Sequence, residues 1–192
     1  LALDLKRLDG AYLEQNRREY EITSQISLAL HDPASLMRLK EKGTCEIELP
    51  EELFDADYPG HYFRRIKSVS LTIPCVTGQY TSVNCTLTLL ENRIRVDSKP
   101  GGAYPEQDAS NDPRFLYNFA AIQSIATSHG QNDAGLFELN FRDERYLPFE
   151  GAGAVSRFRI DLPKECNAID FNTISDVVLK LSYMARGGGE LL

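Results

Sequence analysis

The chain has 192 residues, 42% of them hydrophobic and 26% charged, with a formal net charge of −7 and nine Tyr and nine Phe but no Trp. This is the composition of one globular domain, or of a domain with an extension, long enough to bury a core. The acidic balance argues against nucleic acid or direct membrane contact, which call for a basic face, and no run approaches the roughly 20 apolar residues that cross a bilayer.

Residues 1–41 read as helix. Leu1, Leu5, Leu8, Tyr12, Ile22, Ile26 and Ala29 recur at spacings of three and four, a heptad-like stripe interrupted at Gln15 and Glu19. With no initiator Met and no signal peptide, the chain reads as a piece of a longer protein whose missing parts would cover this stripe. Pro33 breaks the helix and Asp32 caps a second one over 34–42, which Gly43 ends.

From Thr44 the pattern changes to strands, expected at 44–49, 64–73, 81–90, 93–97, 120–126, 136–141, 154–162 and 173–184. Tyr58-Pro59-Gly60 marks a turn before the second of these. Val69, Leu71 and Ile73 alternate with Ser70 and Thr72, and Val83, Cys85, Leu87 and Leu89 with Thr86 and Thr88. Phe158, Ile160 and Leu162 alternate with Arg157, Arg159 and Asp161, and Leu179, Leu181 and Tyr183 with Lys180 and Ser182. One apolar and one polar face per strand implies antiparallel sheets packed face to face. The fold class is therefore mainly β: an antiparallel β-sandwich over 43–187, preceded by an α-helical segment over 1–42 and followed by a tail at 188–192. Long polar loops separate the strands at 98–113, 127–135 and 142–153.

No motif carries a chemistry. Cys45, Cys75, Cys85 and Cys166 form no Cys-x-x-Cys pair; Cys75 and Cys85 flank the Gly78-Gln79-Tyr80 turn, placing them as buried thiols or as a disulfide across a hairpin. His31, His61 and His129 lack ligand spacing, so neither metal nor cofactor is expected. Asp143 and Glu144 are paired carboxylates of the kind a hydrolase uses, but each has an adjacent Arg, which favours a surface ion-pair cluster. Asn84-Cys85-Thr86 matches a glycosylation pattern within a predicted strand. Arg64 and Arg65 point to opposite faces of their strand, so one of them is expected to pair with Asp55 or Asp57.

Three blocks of sequence carry a resemblance. The first is Leu49-Pro-Glu-Glu-Leu-Phe-Asp-Ala-Asp-Tyr-Pro-Gly-His-Tyr-Phe-Arg-Arg-Ile-Lys-Ser-Val69, and the second Tyr80-Thr-Ser-Val-Asn-Cys-Thr-Leu-Thr-Leu89. The third combines Arg142-Asp-Glu-Arg-Tyr-Leu-Pro-Phe-Glu-Gly-Ala-Gly-Ala154 with Thr173-Ile-Ser-Asp-Val177, and Asn16-Arg-Arg-Glu-Tyr-Glu-Ile-Thr23 echoes it more weakly. Over about residues 43–187 the chain resembles the C-terminal TcB-binding domain of Tc toxin A subunits. It departs from that pattern at Gln79, where Pro is frequent, at Ala134, where Ser is usual, and at Phe158, where Trp is expected.

The resemblance implies a non-enzymatic docking and gating module of a secreted bacterial toxin. In that family five A subunits form a translocation channel, and their last domains form a funnel that docks the β-propeller of the TcB–TcC cocoon. The toxic enzyme enters the channel there, and residues 1–30 would be the end of the channel region. Docking needs aromatic and charged anchors on loops held by a rigid sheet. The candidates are Tyr80, Tyr104, His129, Asn132 and Asp133, followed by Arg142, Arg145 and Tyr146. The competing reading is a carbohydrate-binding sandwich that stacks loop tyrosines on sugars, with a hydrolase using Asp143 and Glu144 a distant third.

Overall fold

The computed structural model of the chain describes residues 18–76, 82–97, 112–118, 123–130, 136–140 and 149–188. β1 (Glu19–Ser27) leads through two helices, α1 (Leu28–His31) and α2 (Pro33–Lys42), into β2 (Thr44–Leu49). A third helix, α3 (Glu51–Asp57), precedes the long strands β3 (His61–Pro74) and β4 (Ser82–Arg95). The remaining strands are β5 (Phe115–Asn118), β6 (Gln123–Gly130), β7 (Leu136–Asn140), β8 (Val155–Asp161) and β9 (Val178–Gly187).

Every strand pairing is antiparallel. One sheet has the order β1-β9-β3-β7; the other runs β2-β8-β4, with β5 and β6 sharing the far edge of β4. The alternating residues read from the sequence turn inward as expected. Val69, Leu71, Ile73, Leu179, Leu181 and Tyr183 from the first sheet meet Val83, Cys85, Leu87, Leu89, Phe158 and Ile160 from the second, all buried. Phe158 meets Phe149 edge-on, with ring centroids 5.5 Å apart.

The helical reading of residues 19–27 is corrected. Residues 19–27 form a strand paired with β9 along its whole length, and helix begins only at Leu28. The residues that face inward are Ile22, Ser24 and Ile26. A buried serine between two isoleucines leaves an apolar spacing of four, which imitates a helix although the true period is two. The expected stripe at 1–17 lies outside the described residues. The break at Pro33 stands: Asp32 caps α2 through Ser35 N–H at 3.1 Å, and Gly43 closes it at φ 76°. The Asp32 carboxyl is held below its usual range chiefly by the Ser35 hydroxyl.

Two further differences concern bulges and sheet crossing. The strands expected at 81–90 and 93–97 are one strand, because Leu90 is an extra residue that shifts the inward phase from Leu89 to Asn92 and Ile94. In β3, Phe63 and Arg64 together oppose Ala185, with Phe63 at φ 54°. Cys75 and Cys85 do not face each other across a hairpin: β3 and β4 belong to different sheets, and both cysteines are free. Burial pushes the Cys85 thiol, like that of Cys45, up to about 12, so both are neutral packing groups.

Candidate docking surface

The pairing register gives the sandwich two distinct ends. Glu19 lies opposite Arg186, His61 opposite Gly187, and Arg95 opposite Phe115, so β1 opens and β9 closes at one end, here called terminal. Pro74 lies opposite Leu136 and Ser82 opposite Gly130 at the other, distal end.

The terminal end is fastened by buried charge. Glu51, at the start of α3, accepts from Arg95 Nε at 2.8 Å and Nη2 at 2.6 Å, and from Arg64 Nη1 at 3.4 Å. Arg64 Nη2 also donates to Asp55 Oδ1 at 2.5 Å, so the pairing expected from the sequence holds for Asp55. The Arg64, Arg95 and Glu51 side chains are only 3%, 2% and 10% exposed. Because Arg64 belongs to one sheet and Arg95 to the other, α3 ties the two layers together. The Phe63 bulge presents Arg64 to this cluster. Phe63 itself lies between the Arg65 and Arg186 guanidinium groups, 4.9 and 4.1 Å from its ring centroid, and both arginines pair with Glu19.

Beside them, His61 is stacked between Tyr20 and Tyr58, at centroid distances of 5.4 and 5.7 Å. Burial, followed by the nearby Arg64, holds its pKa below the ordinary histidine value. Glycine serves the same end. A Cβ on Gly153 would lie 2.2 Å from the Arg93 carbonyl oxygen, a close approach that only glycine allows, and Gly153 N–H donates to Asn92 Oδ1 at 2.8 Å.

The distal end is held by neutral polar side chains, a buried Asn167 and others nearer the surface. Asn167 accepts from Asn84 N–H at 2.6 Å and donates to the Asn84 and Pro163 carbonyls, both at 2.9 Å. Asn84 Nδ2 donates to the Cys166 carbonyl at 2.8 Å, which commits the amide of the glycosylation match to a structural bond. Thr173 Oγ1 accepts from Val76 N–H at 3.0 Å. Asp176 accepts from Ser27 Oγ and from Ala29 N–H, anchoring the start of α1, so the Thr173–Val177 block braces the fold.

Of the residues expected to dock a partner, His129 lies on β6 opposite Val83, next to the distal end. Tyr80, Tyr104, Asn132, Asp133, Arg142, Arg145 and Tyr146, like Asp143 and Glu144, lie outside the described residues. Among the described residues no cluster of three or more His, Cys, Asp or Glu is arranged for a metal; His31, for example, donates to the Glu48 carbonyl. No helix among them is long and apolar enough to cross a membrane. The Glu51–Arg64–Arg95 cluster and the Tyr20–His61–Tyr58 stack had no motif to announce them, since Arg95 and Tyr20 are remote in sequence from the other members.

Fold and site together define a β-sandwich that displays loops from two differently built ends. Residues 1–185 match the family model of the Tc toxin complex TcA C-terminal TcB-binding domain, and the chain belongs to that family. Toxin subunit YenA2 of Yersinia entomophaga is 39% identical over 195 residues, covering 98% of this chain and 14% of the relative, so the chain spans about one seventh of that protein. Among solved structures, Yersinia pseudotuberculosis TcaA-TcaB is similar with a TM-score of 0.51 and 21% identity, over 96% of this chain and 11% of that one. Morganella morganii TcdA4 follows with a TM-score of 0.49 and 23% identity, over 95% of this chain and 8% of that one.

Proposed function

We propose that this domain is the docking module through which the A subunit of a secreted toxin complex engages TcB. It binds the β-propeller of the TcB–TcC cocoon, and five copies around a channel form the funnel that receives the toxic enzyme. The observation that carries the reading is the family match over residues 1–185.

The strand register adds a direction to it. β1 opens and β9 closes at the terminal end, so a longer chain carrying this domain is joined to it there. The distal end then faces away from the rest of the subunit, towards the partner. The candidate contact residues are Tyr80, Tyr104, His129, Asn132 and Asp133, followed by Arg142, Arg145 and Tyr146.

The test is co-elution of the chain with purified TcB–TcC cocoon, with the chain also fused to a pentamerising tag. Alanine at Tyr80, Tyr104 or His129 should weaken binding by about 1–2 kcal/mol. Unchanged binding in all three variants would assign docking to other residues. Failure of the folded pentamer to bind at all would remove the docking function.

A further inference from the structure

The two helix-side sheet edges are treated differently. The edge of β2 is sealed: Ser35 Oγ donates to the Glu46 carbonyl at 2.9 Å, and His31 Nε2 to the Glu48 carbonyl at 2.8 Å. The edge of β1 has no partner strand among the described residues. Leu28 N–H donates to the Val177 carbonyl at 2.9 Å, which fixes the phase of the ladder. Ile22, Ser24 and Ile26 therefore direct their backbone groups at β9, and Glu21, Thr23 and Gln25 direct theirs outward. Among the described residues, nothing hydrogen-bonds these outward groups.

A cleft of about 370 Å³ lies beside the open edge. Ser24 to Ser27 form one wall, and Leu53, Ala56 and Asp57 of α3 the other. Buried Phe54 lies at its floor and Leu30, 88% exposed, at its lip. The margin is acidic: Asp57 lines the cleft and Glu52 stands one turn from Ala56, and neither has a cationic partner among the described residues.

An unpaired strand edge next to an apolar trough accepts an added strand, with main-chain bonds for affinity and side-chain pockets for selectivity. We propose that β1 is a strand-addition site for an extended peptide with apolar side chains at alternate positions and Lys or Arg at its ends. Its apolar residues lie over Leu53 and Phe54, its backbone pairs with Thr23 and Gln25, and its cationic ends meet Asp57 and Glu52. The site lies along the side of the sandwich, apart from the distal loops.

The test uses the full chain and a fluorescent seven-residue peptide alternating Val and Thr with a Lys at each end, against the same peptide ended by Glu. Saturable micromolar binding of the Lys-ended peptide is expected, about tenfold weaker for the Glu-ended one. Gln25→Pro removes one outward N–H from an edge strand, and Ala56→Lys places a cation in the trough. Each should weaken binding by about tenfold with an unchanged melting temperature. Absence of saturable binding, equal affinity for the two peptides, or equal affinity in both variants would overturn the proposal. So would a dimer in light scattering that Gln25→Pro dissolves, since β1 would then pair with a second copy.

Discussion

The terminal and distal ends of the sandwich solve one problem in opposite ways. Both must close the gap between two sheets. The terminal end does so with largely buried ion pairs, a strained bulge and a glycine pressed against a neighbouring backbone. The distal end uses amide and hydroxyl bonds to backbone, several of them at the surface. Buried charge tolerates almost no change, because removing one partner leaves another charge uncompensated in a dry site. A polar brace near water is more forgiving, since water replaces lost partners. The terminal end is thus the less tolerant of substitution, and the distal end the more tolerant.

Substitutions at matched positions test this contrast. Glu51→Ala should have the largest effect, about 3–5 kcal/mol in urea unfolding, because Arg64 and Arg95 are left buried without their shared carboxylate. A loss below about 1 kcal/mol would mean that water reaches the cluster and that the ends do not differ. Gly153→Ala should cost about 1–3 kcal/mol, since the added methyl meets the backbone of Arg93 and not a movable side chain. At the distal end, Asn167→Ala should cost about 1–2 kcal/mol, and Thr173→Val about 1 kcal/mol, in the same assay.

The smallest effect is a pH dependence confined to the terminal end. His61 has a lowered pKa in the folded chain, so the unfolded chain binds its proton more readily. Stability should be flat with respect to this group above about pH 7 and should fall as pH drops below about 6.5, towards the folded pKa. A His61→Gln variant should lose that component of an acid unfolding series, and an identical slope in both proteins would rule His61 out as its source.

Much of the sandwich was legible because its strands alternate cleanly. Phe158, Ile160 and Leu162 and the run Leu179, Leu181 and Tyr183 need no tertiary information to announce an inward face. The α2 boundaries were equally plain, since Asp32, Pro33 and Gly43 each act locally. β1 was hidden because a serine occupies one of its core positions. α3 was hidden because its seven residues carry only Phe54 as a fully buried apolar anchor. β5, at four residues, is too short to show a period. For the site, Arg64 with Asp55 was readable because only nine positions separate them, whereas Glu51 and Arg95 are 44 apart and meet only in the fold. The difference between the two ends depends on strand register, which no local pattern of residues encodes.

The place of β9 has a consequence for how the molecule is made. β9 lies between β1 and β3, yet it is the last strand in sequence among the described residues. During synthesis β1 and β3 emerge early and wait, each with an unpaired flank, until residues 178–187 leave the ribosome. The first sheet is completed in a single late insertion, with Glu19 meeting Arg186 across nearly the whole sequence. Contacts so remote in sequence place folding among the slow all-β cases, on the scale of milliseconds to seconds, and make the nascent chain more vulnerable to misassembly than the finished one.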